Sequence, residues 1–180
     1  GSNVVTFAFT GTPPYIIHLL SPLPAITDSV TIDGWSQLEF RGQPVIQLDG
    51  SNAIATGFAA ASEGPIVTGL NIVAGNSEVR GLALNGFEVG IRISGSGGNI
   101  IQGNFIGTDA NGTAALGNTS DGIRVHSAGN LIGGDAAAAR NVISGNLGNG
   151  VILDGSNAVN NVVQGNLIGT ADGSLLPLGN

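Results

Sequence analysis

The stretch "NIIQGNFIGTDANGTAALGN", Asn99 to Asn118, returns as "NVVQGNLIGTADGSLLPLGN", Asn161 to Asn180. Aligned without gaps, ten of the twenty positions are identical: Asn99/Asn161, Gln102/Gln164, Gly103/Gly165, Asn104/Asn166, Ile106/Ile168, Gly107/Gly169, Thr108/Thr170, Leu116/Leu178, Gly117/Gly179 and Asn118/Asn180. The offset is 62 residues. Halfway along it, at Asn130, "NLIGGDAAAARNVISGN" opens on the same Asn-aliphatic-aliphatic phrase, so Asn99, Asn130 and Asn161 stand 31 and 31 residues apart. A fixed period in this range marks stacked repeats, in which one unit cannot bury its apolar face without a neighbour.

Composition narrows the kind of repeat. Hydrophobic residues make up 42% of the 180, aromatic ones only 4%, and there are 31 Gly and neither Cys nor Met. The core must therefore be built from Val, Ile, Leu and Ala. The apolar runs are short ("NII", "NFI", "GIRV", "NLI", "NVI", "GVIL", "NVV") and bounded by Gly, Asn, Asp or Ser, which is the pattern of strands and turns. No window carries a 3.6-residue apolar stripe long enough for a substantial helix. The run Ala136 to Ala139 has room for one helical turn or a plain loop.

Coils can be drawn over Glu78–Gly98, Asn99–Gly129, Asn130–Asn160 and, in part, Asn161–Asn180. Each full coil holds about three short strands, and loops are inserted at "TDANGTAALGNTSD" and "GDAAAAR". Strands that recur once per coil lie parallel to their counterparts, and right-handed crossovers are the rule for such connections. The expected fold is all-β: a single-stranded, right-handed parallel β-helix with a rise of roughly 4.8 Å per coil. Asn99, Asn130 and Asn161 are expected to stack as structural ladders, as are Asn104, Asn146 and Asn166 at the Gly-Asn corners.

The phrases "NIIQGNFIGTDANGTAALGN", "DGIRV", "NLIGG", "RNVISGN" and "NGVILDG", led by "LPAITDSVTIDG" and "PVIQLDGSNA", resemble the repeat of bacterial right-handed β-helix proteins of the pectate-lyase-like superfamily. The resemblance covers nearly the whole chain. It implies a β-helix module of the kind found in secreted or surface proteins; function does not follow from fold.

One domain over 1–180 is expected: an N-terminal cap or first rungs over 1–34, irregular coils over 35–77, and regular coils over 78–180 with the last incomplete. Tyr15, Trp35, Phe40 and Phe58 all fall before the regular coils. Twelve acids against five Arg give a net charge of −7, which argues against nucleic acid and anionic membrane surfaces as partners. No apolar run is long enough to span a bilayer as a helix. Without Lys or Cys, Schiff-base and thiol chemistry are excluded. An Asn-, Gly- and Thr-rich repeat suits an extracellular or cell-surface setting.

Carbohydrate-active β-helices need clustered carboxylates, with Ca²⁺ and a base for elimination or an acid pair for hydrolysis. The candidate acids Asp109, Asp121, Asp135, Asp154 and Asp172 sit mostly in turn sequences, where a turn role suffices. "GIRI" and "GIRV" place Arg92 and Arg124 at matching positions of successive coils, a pair suited to an acidic glycan, with Glu88 and Asp121 near enough to screen them. "GTDANGT" sets Asp109, Asn111 and Thr113 at alternate positions like an oxygen-rich Ca²⁺ loop, although no downstream bidentate acid follows. His18 and His126 share no ligand pattern. The reading is a non-catalytic structural or adhesive module with no cofactor, alongside a polysaccharide-binding or polysaccharide-cleaving alternative. Its partners would be further repeats or copies of itself stacked head to tail, the second copy of the twenty-residue stretch leaving a coil unfinished at Asn180.

Overall fold

A computed structural model describes residues 3–53, 67–173 and 176–180. Their strands form three sheets in which every pairing is parallel. The first sheet stacks β1 (Asn3–Thr6), β3 (Val30–Asp33), β6 (Glu78–Arg80), β9 (Ile100–Gln102), β12 (Leu131–Gly133) and β15 (Val162–Gln164). The second stacks β2 (Tyr15–His18), β4 (Ile46–Asp49), β7 (Leu82–Asn85), β10 (Phe105–Ile106), β13 (Val142–Ile143) and β16 (Leu167–Ile168). The third stacks β5 (Thr68–Ile72), β8 (Val89–Ile93), β11 (Ile123–Val125) and β14 (Val151–Leu153), with Ile26 bridging to Ile72 at its edge. In chain order the strands visit the first, second and third sheet and return to the first. Each strand therefore hydrogen-bonds to its counterparts one circuit before and after, an arrangement compatible with a parallel β-helix.

Register follows from the aliphatic positions. Ile32, Val79, Ile101, Ile132 and Val163 are successive partners in the first sheet. Leu48, Leu84, Ile106, Ile143 and Ile168 are partners in the second. Ile72, Ile93, Val125 and Leu153 are partners in the third. The members of these columns between the two ends are buried and form one continuous core. A slip of one residue would turn a whole column outward, so burial of one face holds every strand in place. Phe87 is buried within this core, and a Cβ at Gly50 would come within 2.1 Å of its ring, so residue 50 has no room for a side chain.

The alanine run makes one 3-10 turn over Ala137–Ala139, on the path from β12 to β13. The circuits on either side instead carry their extra length after the second sheet. There Thr108 bridges Ala115, and Thr170 bridges Pro177, both antiparallel. The first of these loops folds back over the outer face of the second sheet, where Ala110 packs with Ala83, Phe105 and Val142. The second loop touches the first: the Asp172 N–H donates to the Gly112 carbonyl at 2.8 Å.

The two-circuit spacing gives a direct test. Excising residues 99–160 joins Gly98 to Asn161–Asn180, the counterpart of Asn99–Asn118, so the shortened chain should keep a strand-type far-UV circular dichroism spectrum and a cooperative thermal melt. Excising 99–129 alone brings the Ala137–Ala139 turn to a corner shaped for the short path from β9 to β10. That chain should melt several degrees lower.

Candidate functional site

Three columns of asparagine run through the corners between sheets. In the first, the Asn130 Oδ1 accepts from the main-chain N–H (3.0 Å) and Nδ2 (2.9 Å) of Asn99, and the Asn161 Oδ1 accepts from the same two groups of Asn130 (2.9 and 2.8 Å). In the second, the Asn141 Oδ1 accepts from Asn104 (2.9 and 3.1 Å) and the Asn166 Oδ1 from Asn141 (3.1 and 2.9 Å). In the third, the Asn146 Oδ1 accepts from Asn118 (3.3 and 2.8 Å) and the Asn180 Oδ1 from Asn146 (3.2 and 2.7 Å). The second Nδ2 hydrogen of Asn104, Asn141 and Asn166 goes to the carbonyl of Val79, Ile101 and Ile132 respectively. An amide offers two donors and an acceptor on one planar group, which is what such a corner requires. A column of carboxylates would lack the donors and stack like charges.

The grouping of Asn146 with Asn104 and Asn166 is corrected by these bonds. Asn104 is followed by Asn141, and Asn146 belongs to the third column. The cause is the uneven placement of the loops. The second column has separations of 37 and 25 residues, the third 28 and 34, and both pairs make up the same 62. Only the first column keeps 31 at each step.

Arg92 and Arg124 are register partners on β8 and β11. Their environments differ. The Arg124 Nε donates to Asp121 Oδ2 at 2.8 Å, and its Nη2 reaches Asp121 and the Ser120 Oγ. Asp121 is buried and its Oδ1 accepts from the main-chain N–H (2.9 Å) and Nδ2 (3.0 Å) of Asn149. Burial raises the Asp121 pKa, but the Asn149 N–H, the Arg124 guanidinium and the Asn149 amide outweigh it and hold the carboxyl below the ordinary value. Arg92 has neither an ion pair nor a hydrogen bond among the described residues, Glu88 included, and its Nε is buried without a partner. Among the described residues, Asn71, its register partner on β5, has an unpartnered buried Oδ1, and His126, two residues beyond Arg124, an unpartnered buried Nε2.

Asp109, Asn111 and Thr113 do come together, around the Asp109 carboxylate. Its Oδ1 accepts from the N–H of Thr113 (2.8 Å) and Ala114 (2.9 Å), and its Oδ2 from the Asn111 Nδ2 (3.3 Å). The loop's own donors thus surround the carboxylate, and Asn111 presents nitrogen where a cation would need oxygen. No group of three or more His, Asp or Glu side chains suited to a metal gathers among the described residues. Asp135 accepts from Gln164, Asp172 accepts from Gln43, and Asp154 lies 3.7 Å from His126.

Two carboxylate contacts escaped the sequence reading. Arg80 grips Asp33 with Nε at 2.8 Å and Nη2 at 2.9 Å, reaches Glu78, and lies over the Trp35 ring at 4.8 Å. That fork lowers the Asp33 pKa against the effect of burial. His18 Nδ1 lies 2.8 Å from Asp49 Oδ2, beside a groove of about 370 Å³ lined by Gln47, Asp49, Ser51, Asn85 and Leu116. Burial raises the Asp49 pKa, but the Ser51 N–H and the His18 ring bring it below the ordinary value. His18 and Asp49 are 31 residues apart, so the period itself was a signal for that pair.

Comparison with protein-family models, curated proteins and solved structures returns no match. No helix among the described residues is long and apolar enough to cross a membrane.

Replacing Asn141 with Ala leaves several buried groups unpaired in the circuits on both sides, at about 1–3 kcal/mol each before relaxation. Urea unfolding should show a loss of roughly 2–4 kcal/mol, against less than about 0.5 kcal/mol for Asn111→Ala in the exposed loop. Asp33, Asp49 and Asp121 all have folded pKa values below the ordinary one, so their contribution is present above the unfolded pKa of about 4 and is lost as pH falls through the lower folded values. The melting temperature should stay level from about pH 8 to 5 and fall below about pH 4, and Asp121→Asn should remove part of that fall.

Proposed function

We propose that the chain is one right-handed parallel β-helix, a single-chain solenoid that serves as a non-catalytic structural or adhesive module outside the cell. The observation that carries this reading is the use to which buried polar side chains are put. Asparagine amides run as hydrogen-bonded columns through three corners, and the most enclosed carboxylates, Asp33, Asp49 and Asp121, hold neighbouring circuits or turns together. Scaffolding of this kind stiffens a rod. It also fits an oxidising exterior, since the sequence offers neither thiol nor thioether to oxidise.

The reading is tested by incubating the protein with polygalacturonate and with neutral and acidic bacterial polysaccharides, with and without Ca²⁺, and following new reducing or unsaturated ends. No release above a heat-denatured control is expected, and sustained turnover would overturn it. Immunolabelling of intact cells of the source organism tests the location.

One observation favours a second reading, the binding of an acidic glycan on the outer face of the third sheet. Arg92 has no carboxylate partner among the described residues and is placed directly beside Arg124 in a protein of net charge −7. Like charges directly opposite in a sheet are unfavourable, and an anion beside Arg92 relieves that cost. A uronic-acid polymer should bind weakly and in a salt-sensitive manner, and Arg92→Ala should abolish the binding without lowering the melting temperature. Arg124→Ala should instead lower the melting temperature, because it strips Asp121 of its charged partner.

A further inference from the structure

We infer that Asn111 is an attachment site for a sugar chain, joined through its side-chain amide nitrogen. This rests on the reading that places the protein outside the cell, because asparagine-linked sugars are carried on surface loops of exported proteins. Within the sequence, two asparagines stand two residues before a hydroxyl residue with no proline between: Asn111-Gly112-Thr113 and Asn118-Thr119-Ser120. Such a motif marks an acceptor only where the asparagine can be reached. Asp109 stands two residues before Asn111 and gives a transferase a negative charge at a fixed distance from the acceptor, whereas Leu116 holds that place before Asn118.

Burial separates the two motifs. Asn118 is fully enclosed: its Oδ1 accepts from the Phe87 N–H at 3.0 Å, and its main-chain N–H and Nδ2 donate to Asn146 in the third column. The hydroxyl of that motif is engaged as well, since the Ser120 Oγ accepts from Arg124 at 3.2 Å. Asn111 and Thr113 are both exposed. Among the described residues the Asn111 Nδ2 makes one hydrogen bond, a long one of 3.3 Å to Asp109 Oδ2, and the Thr113 hydroxyl makes none. The neighbouring charge and the burial thus select the same asparagine of the two.

An amide nitrogen is a weak nucleophile because its lone pair is delocalised, so the sugar must arrive activated, as the diphosphate ester of a lipid presented by a membrane transferase. Nδ2 attacks the anomeric carbon, and the bond from that carbon to the diphosphate oxygen breaks. The lipid diphosphate leaves with the electron pair, and Nδ2 gives one of its two protons to a carboxylate of the transferase. The product keeps one N–H for Asp109. The loop has its own supports: Asp109 Oδ1 accepts from the Thr113 and Ala114 N–H groups, the Asp109 N–H donates to the Ala114 carbonyl at 3.0 Å, and Thr108 bridges Ala115. Ala110 anchors it from beneath, on Ala83, Phe105 and Val142. None of these contacts uses the Asn111 side chain, and the column members Asn104 and Asn118 lie outside the loop. A sugar chain at Asn111 therefore adds a hydrophilic cover over the second sheet and leaves the core and the columns as they are.

Mass spectrometry of the protein purified from the source organism tests the inference. Cleavage after Arg92 and Arg124 releases Ile93–Arg124, a peptide that carries both motifs. Its mass should exceed that of the bare peptide by a whole number of sugar residues, and fragmentation by electron transfer should place the addition on Asn111 and leave Asn118 bare. Expressed in the same organism, Asn111→Gln and Thr113→Val should lose the added mass with unchanged far-UV circular dichroism, and Thr113→Ser should keep it. An unmodified Asn111 on a chain that immunolabels at the cell surface overturns the inference and leaves the structural reading standing. An addition that persists in Asn111→Gln overturns it as well. A chain that labels only in the cell interior and carries no sugar overturns both the inference and the extracellular placement, while turnover of a polysaccharide bears on the structural reading alone.

Discussion

The corner asparagines impose the constraint on which the rest of the structure depends. Where the chain leaves one sheet for the next, a main-chain N–H is buried away from water, and an unpaired one costs as much as a lost hydrogen bond. The amide of the following circuit supplies the acceptor and in turn donates to the next. Each corner is thereby tied to the same corner one circuit away, and the register of the strands between is no longer free. Backbone must pass close to these amides, which explains the glycines beside them. Gly107 has a φ of +89°, and a Cβ there would stand 2.3 Å from the Asn146 Oδ1. No side chain fits without breaking the column.

This arrangement fixes corners rather than lengths. From first to second to third corner the chain runs 99, 104, 118 in one circuit, then 130, 141, 146, then 161, 166, 180. Extra residues sit now after the second corner and now after the first, and the columns stay intact. Loop closure costs little more for a longer loop, so the insertions are tolerated as long as the amides remain in line. The lengthened loops also gain contacts of their own, as Ala110 on Phe105 and Asp172 on Gly112 show. The 62-residue repeat is thus two circuits of unlike shape, and the twenty-residue stretch that recurs carries one member of every column.

The three parallel sheets were legible because Asn99, Asn130 and Asn161 keep an even spacing and an aliphatic pair follows each. The remaining columns were not, since a spacing of 37 then 25 hides Asn141 from a reader counting 31s, and Asn146 shares with Asn104 and Asn166 the preceding glycine that Asn141 lacks. The same limit applies to charge. Asp33 and Arg80 are register partners 47 residues apart, a separation unrelated to the period, whereas His18 and Asp49 lie one period apart. Arg92 and Arg124 were placed side by side correctly by their matching phrases. What separated them, the Asp121 carboxylate turned toward Arg124 alone, depends on a corner whose geometry comes from Asn149 a full circuit away.

The direction of the carboxylate shifts bears on chemistry. A general acid must keep its proton near the working pH, and enzymes raise a carboxyl's pKa to achieve this. In Asp33, Asp49 and Asp121 the neighbours act the other way: donors converge on each group and favour the charged form over the cost of burial. Such carboxylates are strong acceptors and poor proton donors, suited to binding chain to chain. Other acids among the described residues lie in loops or at the surface, where Asp109 is wrapped by its own turn and Asp154 faces solvent. Among the described residues the unpartnered guanidinium of Arg92 therefore stands out more than any acid does, and it carries the glycan-binding reading proposed for the outer face of the third sheet.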